Sequence, residues 1–342
     1  PATPKVCLKP DGTRSLLQAT IERLQPAWPG ARWLIVTTDS QARTVRAELR
    51  SFVRRSVVVE PEPKSTAACI TLAAAIVARR SPSDVVVAVP ADHWVHWSTE
   101  DMRGYRRSLR TAIRASHDLS MLGTIGIRPT HPDPGFGYLC AGAPVAGWRR
   151  PRVFRLGRFI EKPTPGRAQQ LLRSGRTYWN SGTFVGRAET FLEEVGRWLP
   201  EHARRLGPLS CWWGTASFAQ RAHQAYRTLR AISFDHGVMN HVRSGLIVEG
   251  SFRWADVGNC DAWAKVATTA SIALPIDSKR PQVVSDTAHL FAFVDVSQRL
   301  LVVHTRDATL ICPAGSNAAA THQKIRRIAA RLASDRRLAR YQ

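Results

Sequence analysis

The sequence predicts an α/β protein, a mostly parallel sheet covered on both faces by helices and followed by a small C-terminal β-rich module. Three observations carry this. Between residues 15 and 92 short apolar runs alternate with helix-period segments, the order that right-handed crossovers between parallel strands produce. The polar residues Asp39, Glu60 and Asp92 end these runs, where open parallel sheets place their ligands. From about residue 271 the helical period gives way to short β segments.

Taken in order, the stretch PDGTRSLLQATIERL (residues 10–24) opens with a turn signal. Ser15 and Gln18 then make a capping box for a helix that buries Leu16, Leu17, Ile21 and Leu24. Gly12-Thr13-Arg14 can also be read as a phosphate loop. That reading needs a buried strand directly upstream, and PATPKVCLKP is too short and too proline-rich to be one, so the turn is preferred. A strand ARWLIVTTD, a helix QARTVRAELRSF, a strand SVVVE, a helix TAACITLAAAIVARR and a strand DVVVAVPAD follow.

From Met121 the strands are MLGTIGIRP, GFGYLCAG, RVFRLGRFIEKP and TYWNSGTFVGR, with a helix GRAQQLLRSG between the last two. A long helical region, ETFLEEVGRWLPEHARRL through FAQRAHQAYRTLR, comes next. After WADVGNCDAWAKV the segments QVVSDT, HLFAFVDV and RLLVVHTRDATLICPA read as β structure, ahead of a basic terminal helix. A boundary near residues 268–271 divides the chain into domains 1–268 and 269–342.

Composition narrows the function classes. At 342 residues and 44% hydrophobic content the chain is long enough for one large core or two domains. No apolar run approaches the ~20 residues that span a bilayer, and no signal-peptide pattern opens the chain, so no membrane association and a cytoplasmic location are expected. The six cysteines include no Cys-x-x-Cys pair, which indicates reduced thiols and neither a zinc site nor a disulfide framework. The net charge of +23 raises an anionic partner such as nucleic acid. Only seven of the 49 basic residues are lysine, however, and arginine is scattered over almost every helix, a bias that a GC-rich coding sequence also produces. No nucleic-acid module is present in the pattern, and no nucleic-acid partner is expected.

Four polar islands each follow an apolar strand: PADH (residues 90–93), FIEKP (159–163), WNSG (179–182) and WADVG (254–258). Singly, each has a structural reading: Asp92 as a helix cap, Glu161-Lys162 as a solvated pair, Asn180 as a turn residue, Asp256 as a strand-end turn. Together and in this order they resemble the sugar-phosphate nucleotidyltransferases, most closely the mannose-1-phosphate guanylyltransferases. The resemblance extends from residue 4 to about 324 through PKVCL, DGTRSLLQATIERL, VVVEPEPKSTAACITLAAAI, VPADHWV, GTIGIRPTHPDPGFGYL, FIEKPTPGRAQQLLRSGRTYWNSGTFV, ISFDHGVMN and WADVGNCDAW. The family pattern Gly-Ile-x-Pro-Thr leading into Gly-aromatic-Gly-Tyr is met at residues 126–130 and 135–138.

The resemblance implies a Rossmann-like nucleotidyltransferase sheet followed by a left-handed β-helix-like module. It also implies a reaction in which mannose 1-phosphate attacks the α-phosphate of GTP to give GDP-mannose and pyrophosphate. Both reactants are anions, so the work is alignment and charge neutralisation. By the match, Asp92 and Asp256 would be the carboxylates of a Mg²⁺ cofactor. Lys162 would meet the sugar phosphate, and Lys5 would lie along the nucleotide phosphates. Glu161 and Asn180 would bond sugar hydroxyls, Gly135 and Gly137 would allow close backbone approach, and Tyr138 would support their loop. Glu60 and Thr66 bound the segment that lies along the base. A homodimer is compatible with the family.

The family opens with a strand and a glycine-rich triphosphate loop, and this chain begins after the matching point. The chain alone is therefore expected to be poorly soluble or inactive as a guanylyltransferase. Ser65, Phe136, His236-Gly237 and Asn259-Cys260 depart from the usual residues, which leaves another NDP-hexose as the second substrate reading. A non-catalytic relative that binds nucleotide-sugar is the alternative function.

Overall fold

The computed structural model describes residues 4–10, 12–49, 56–257, 262–263, 266, 272–285, 288–305, 308–314, 324, 327–328 and 331. The chain forms two compact units, Pro1–Glu22 with Ala91–Trp94 and Ala255–Gln342, and Arg23–Pro90 with Val95–Trp254. The boundary near residues 268–271, most of the basic terminal helix and the motif residues Gly258, Asn259 and Cys260 lie outside the described residues.

Most elements appear where the sequence patterns place them, but the helix Thr99–Leu119 and the strand Gly245–Gly250 were not expected. Helix α1 is Leu16–Leu24, followed by β1 Ile35–Thr38, α2 Asp39–Glu48, β2 Val57–Glu60, α3 Ser65–Ala78, β3 Val85–Ala88 and the short β4 His93–Val95. The capping box of α1 forms in both directions: the Ser15 N–H donates to Gln18 Oε1 at 3.0 Å and the Gln18 N–H donates to Ser15 Oγ at 3.2 Å. Next come α4 Thr99–Leu119, β5 Leu122–Ile127, β6 Tyr138–Arg149, β7 Arg152–Ile160, α5 Pro165–Arg173, β8 Thr177–Arg187, α6 Ala188–Trp198, α7 Pro200–Leu206 and α8 Phe218–Tyr226. The predicted long helical region is broken between α6 and α7 at Pro200, which has no N–H to continue α6 and instead sits in the first turn of α7. The series ends with β9 Gly245–Gly250, β10 Trp254–Asp256, β11 Ile272–Ile276, β12 Gln282–Ser285, β13 Leu290–Val294, β14 Leu300–His304 and β15 Thr309–Pro313.

In the larger unit six strands form a mixed sheet in the order β3-β8-β5-β9-β7-β6, with β6 also paired to β8. The pairs β1–β2 and β5–β9 are parallel; β8 and β7 run antiparallel to the strands beside them. Every residue of β5 is buried, as a strand with helices over both faces requires. The period of two sends side chains to opposite layers. Leu246 and Val248 join Tyr105, Leu109 and Ala112 of α4, while Ile247 joins Ile70 of α3 and Phe191 and Val195 of α6. Among the described residues β1 pairs only with β2, and β3 only with β8.

The other unit carries the C-terminal β-rich module. Here β11 pairs with β13 and β12 with β14, both parallel and in register, so each strand stacks on the one two further along the chain. β15 returns antiparallel to β14.

Candidate active site

Two clusters of charged and polar side chains emerge, one in each unit. The first collects three segments far apart in sequence. Lys5 stands in a single helical turn, Asp92 lies in the turn ahead of β4, and Asp256 closes β10. The Lys5 ammonium donates to Asp92 Oδ2 at 2.7 Å and lies 3.9 Å from Asp256 Oδ1. His93 Nε2 is 4.0 Å from Asp92 Oδ1 and 3.8 Å from Asp256 Oδ1. Burial works to raise the Asp92 carboxyl, but His93 and the Lys5 ammonium outweigh it and hold the group below the ordinary carboxylate range.

Two carboxylates that share one ammonium bring oxygen donors together. Their donor chemistry suits Mg²⁺, which takes one or two carboxylates and completes its octahedron with water and phosphate oxygens. Among the described residues no group of three or more His, Cys, Asp or Glu side chains closes around a metal position, so the carboxylate pair offers an open half-shell, not a cage.

The second cluster is built on the interior of β5 and β8 and the end of β7. Asn180 on β8 is held at three points. Its N–H donates to Gly137 O at 2.8 Å, its Oδ1 accepts from Thr124 Oγ1 at 3.0 Å, and its Nδ2 donates to Asp235 Oδ1 at 2.7 Å. Asp235 opens a π-helical turn, Asp235–Met239. Burial raises its carboxyl above the ordinary value despite the Asn180 bond. Glu161 follows β7 and is pushed up to about 7, first by burial and then by the Asp235 charge, with Lys162 opposing. Lys162 Nζ sits 3.9 Å from Glu161 Oε1 with its side chain 65% exposed, a cation at the rim of the cluster.

The loop over this cluster is self-supported. Asp133 Oδ1 accepts from the Gly135 N–H at 2.8 Å, and the buried Tyr138 hydroxyl accepts from the Asp133 N–H at 3.0 Å. A side chain at Gly137 has no room, since a Cβ there would stand 2.6 Å from Glu161 Oε2 and 3.1 Å from Phe159 Cζ. Phe136 packs against Trp179 and Trp254, at ring-centroid distances of 5.0 and 5.4 Å.

Of the residues singled out from sequence, Lys5, Asp92 and Asp256 meet in the first cluster, and Gly135, Gly137, Tyr138, Glu161, Lys162 and Asn180 meet in the second. Glu60 and Thr66 join neither through their side chains. The Glu60 carboxyl points into the core, where Oε1 accepts from the Tyr226 hydroxyl at 2.8 Å, and burial lifts it to about 7. Thr66 Oγ1 accepts from the Phe234 N–H at 2.8 Å, tying the start of α3 to the turn that carries Asp235. The Glu60 carboxyl is thus occupied in the core, while the Thr66 hydroxyl, an acceptor here, keeps its own proton to donate. His93, Thr124 and Asp235 were not singled out, although they lie within the motifs PADH, GTIGIRPTHPDPGFGYL and ISFDHGVMN.

This fold, with acidic and lysine residues gathered beyond strand ends, defines a nucleotide-transfer scaffold. The Nucleotidyl transferase family matches residues 2–271, and the chain belongs to that family. A mannose-1-phosphate guanylyltransferase of Sinorhizobium fredii is 30% identical over 322 residues, covering 90% of this chain and 60% of that protein. One from Escherichia coli K12 is 30% identical over 319 residues, covering 90% and 64%. The chain thus spans less than two thirds of the length of these relatives. Among solved structures, one from Thermus thermophilus described as a mannose-1-phosphate geranyltransferase superposes with a TM-score of 0.75 at 28% identity, covering 92% of this chain and 89% of that one. A structure described as mannose-6-phosphate isomerase from Helicobacter pylori gives 0.61 at 25% identity, covering 74% and 94%. No helix among the described residues is long and apolar enough to cross a membrane.

Proposed function

We propose that the chain catalyses nucleotidyl transfer from GTP to mannose 1-phosphate, giving GDP-mannose and pyrophosphate, in the cytoplasm. The observation that carries this reading is the Lys5–Asp92–Asp256 cluster, in which two carboxylates and an ammonium converge from three distant segments. An oxygen of the sugar phosphate attacks the α-phosphorus of GTP. A P–O bond forms there, the bond to the bridging α,β oxygen breaks, and pyrophosphate leaves with that electron pair. No proton has to move, so the residues act by position and charge.

Asp92 and Asp256 would hold Mg²⁺, which when bound supplies charge neutralisation at the phosphate oxygens. Lys5 balances the carboxylates and offers an ammonium to the nucleotide phosphates. Lys162 offers the exposed cation suited to the sugar phosphate. Glu161, together with Asn180 held by Asp235 and Thr124, bonds the sugar hydroxyls, and a hydroxyl of the wrong orientation leaves these groups unpaired. The relatives named as mannose-1-phosphate guanylyltransferases support the choice of mannose and guanine.

The test is pyrophosphate release by the chain, alone and with a glycine-rich triphosphate loop of the family joined to it, measured with Mg²⁺ across a panel of nucleoside triphosphates and hexose 1-phosphates. GTP with mannose 1-phosphate is expected to give the highest kcat/KM. A different pair at the top would reassign the substrates. Stoichiometric nucleotide-sugar binding with no pyrophosphate from any pair would make the chain a binding protein instead.

A further inference from the structure

The structure assigns a second anion site to the larger unit, separate from both clusters. A cavity of about 420 Å³ is lined by Arg107, Arg149, Arg150, Pro151, Arg152, Glu249 and Ser251. Its volume lies within the range of small-molecule sites. Four arginines and one glutamate line it, and the glutamate carboxylate already accepts four hydrogen bonds. Arg152 binds Glu249 through Nε and Nη2, both at 3.1 Å, while Arg128 Nη2 and the Tyr178 hydroxyl donate to Oε1 at 3.1 and 3.2 Å. These contacts hold Glu249 below its ordinary value against the opposing effect of burial.

Arg107, Arg149 and Arg150 therefore add three charges to the lining, and among the described residues none of the three forms an ion pair. Their neighbours on α4 differ. Arg110 and Arg114 lie over the Trp28 and Trp148 rings, and Arg106 donates to the Arg23 carbonyl. The walls are fixed in place: Ser108 Oγ donates to Glu249 O at 3.1 Å and accepts from the Ser251 N–H at 3.4 Å, joining α4 beside Arg107 to the end of β9.

Guanidinium forks match phosphate oxygens in pairs, and a recess that concentrates three unpaired charges selects a compact anion of three or more negative charges. The ligand class is a linear oligophosphate, either free or as the terminal phosphates of a nucleotide. The scatter of arginine along the sequence hid this site, because Arg107 and the residues 149–152 come together only through the sheet.

Binding is measured by calorimetry with tripolyphosphate and, separately, with GTP, both in EDTA so that no metal-dependent phosphate site contributes. The triple variant Arg107→Gln/Arg149→Gln/Arg150→Gln is expected to bind at least about a hundredfold more weakly, since a charge-assisted bond contributes about tenfold or more. A control with three exposed arginines elsewhere removed, Arg79→Gln/Arg80→Gln/Arg176→Gln, keeps wild-type affinity. Hydrogen exchange slows at residues 103–110 and 147–152 on binding. Equal affinity for the two ligands indicates a free oligophosphate and tighter GTP binding a nucleotide, and each supports the site. Equal weakening in the control, absence of protection at those residues, or a random DNA duplex that outcompetes tripolyphosphate would overturn it.

Discussion

Asp92 and Glu161 are both carboxyls with a lysine nearby, yet cation contacts hold the first below its ordinary range while burial lifts the second to about 7. The contrast separates two kinds of work. Around Asp92 the partners are charged and about a third exposed, an arrangement suited to phosphates and a cation that come and go. Near Glu161 the Asp235 charge adds to burial, and Asn180 bonds Thr124 and Asp235 in a part-buried net suited to neutral hydroxyls. One residue type serves two purposes because its surroundings set its charge.

The largest effect is expected where charge is essential. Asp256→Asn keeps the shape of the side chain and removes one of the two carboxylates, so turnover should fall at least about a hundredfold, on the scale of losing a key electrostatic group. Thermal unfolding should be little changed, because Asp256 is partly exposed and the nearest basic groups, His93 and Lys5, are 3.8 and 3.9 Å away. Turnover at the wild-type level would remove Asp256 from the chemistry. In the enclosed cluster Gly137→Ala should displace the Glu161 carboxyl, whose Oε2 lies 2.6 Å from the new methyl. An increase of about tenfold in the KM for the sugar phosphate is expected, with kcat less affected and a stability cost of about 1 kcal/mol from overpacking. An unchanged KM would detach this cluster from sugar recognition.

How much of this could be read beforehand depends on how local each signal is. The cap of α1 was legible because Ser15 and Gln18 satisfy each other within one turn. Lys5, Asp92 and Asp256 were legible through the family motifs around them, and no spacing rule would have joined residues so distant. Glu60 misled because a polar residue at a strand end reads as ligand-facing, and only the tertiary fold brings Tyr226 of α8 against it. Asp235 was passed over although ISFDHGVMN was recognised as a family motif, because nothing local to the segment shows that Asn180 will bond its carboxyl. Its task comes from Asn180 across the sheet. β9 sits at the centre of that sheet, but a run as short as GLIVEG carries too little pattern to announce itself.

The pH dependence sharpens the contrast further. The Glu161 carboxyl is raised in the folded state, so its neutral form favours folding. That contribution is fully present below the ordinary value of 4.5 and is lost as pH rises through about 7. Glu161→Gln has no such loss. Its melting temperature should match wild type near pH 4.5 and exceed it above about pH 7, even as activity falls because the hydroxyl acceptor is weakened. A constant offset between the two proteins across that range would place an ordinary carboxyl at Glu161.

Glu60 is also raised to about 7 and titrates in the same window, so its share needs its own variant. The Tyr226 hydroxyl donates to the Glu60 carboxyl and is the interaction that opposes burial there. Tyr226→Phe removes the donor and leaves the ring in place. The bond is stronger to a charged acceptor, so the loss should be about 1 kcal/mol near pH 5 and about 2 kcal/mol near pH 8, read by chemical denaturation at both values. Because Glu60 turns away from both clusters, the KM for the sugar phosphate should stay at the wild-type value. A KM that rose with the loss of stability would mean that Glu60 positions the segment 60–66 for ligand binding through its core contact. That outcome would move Glu60 from the packing of the fold to the support of the site.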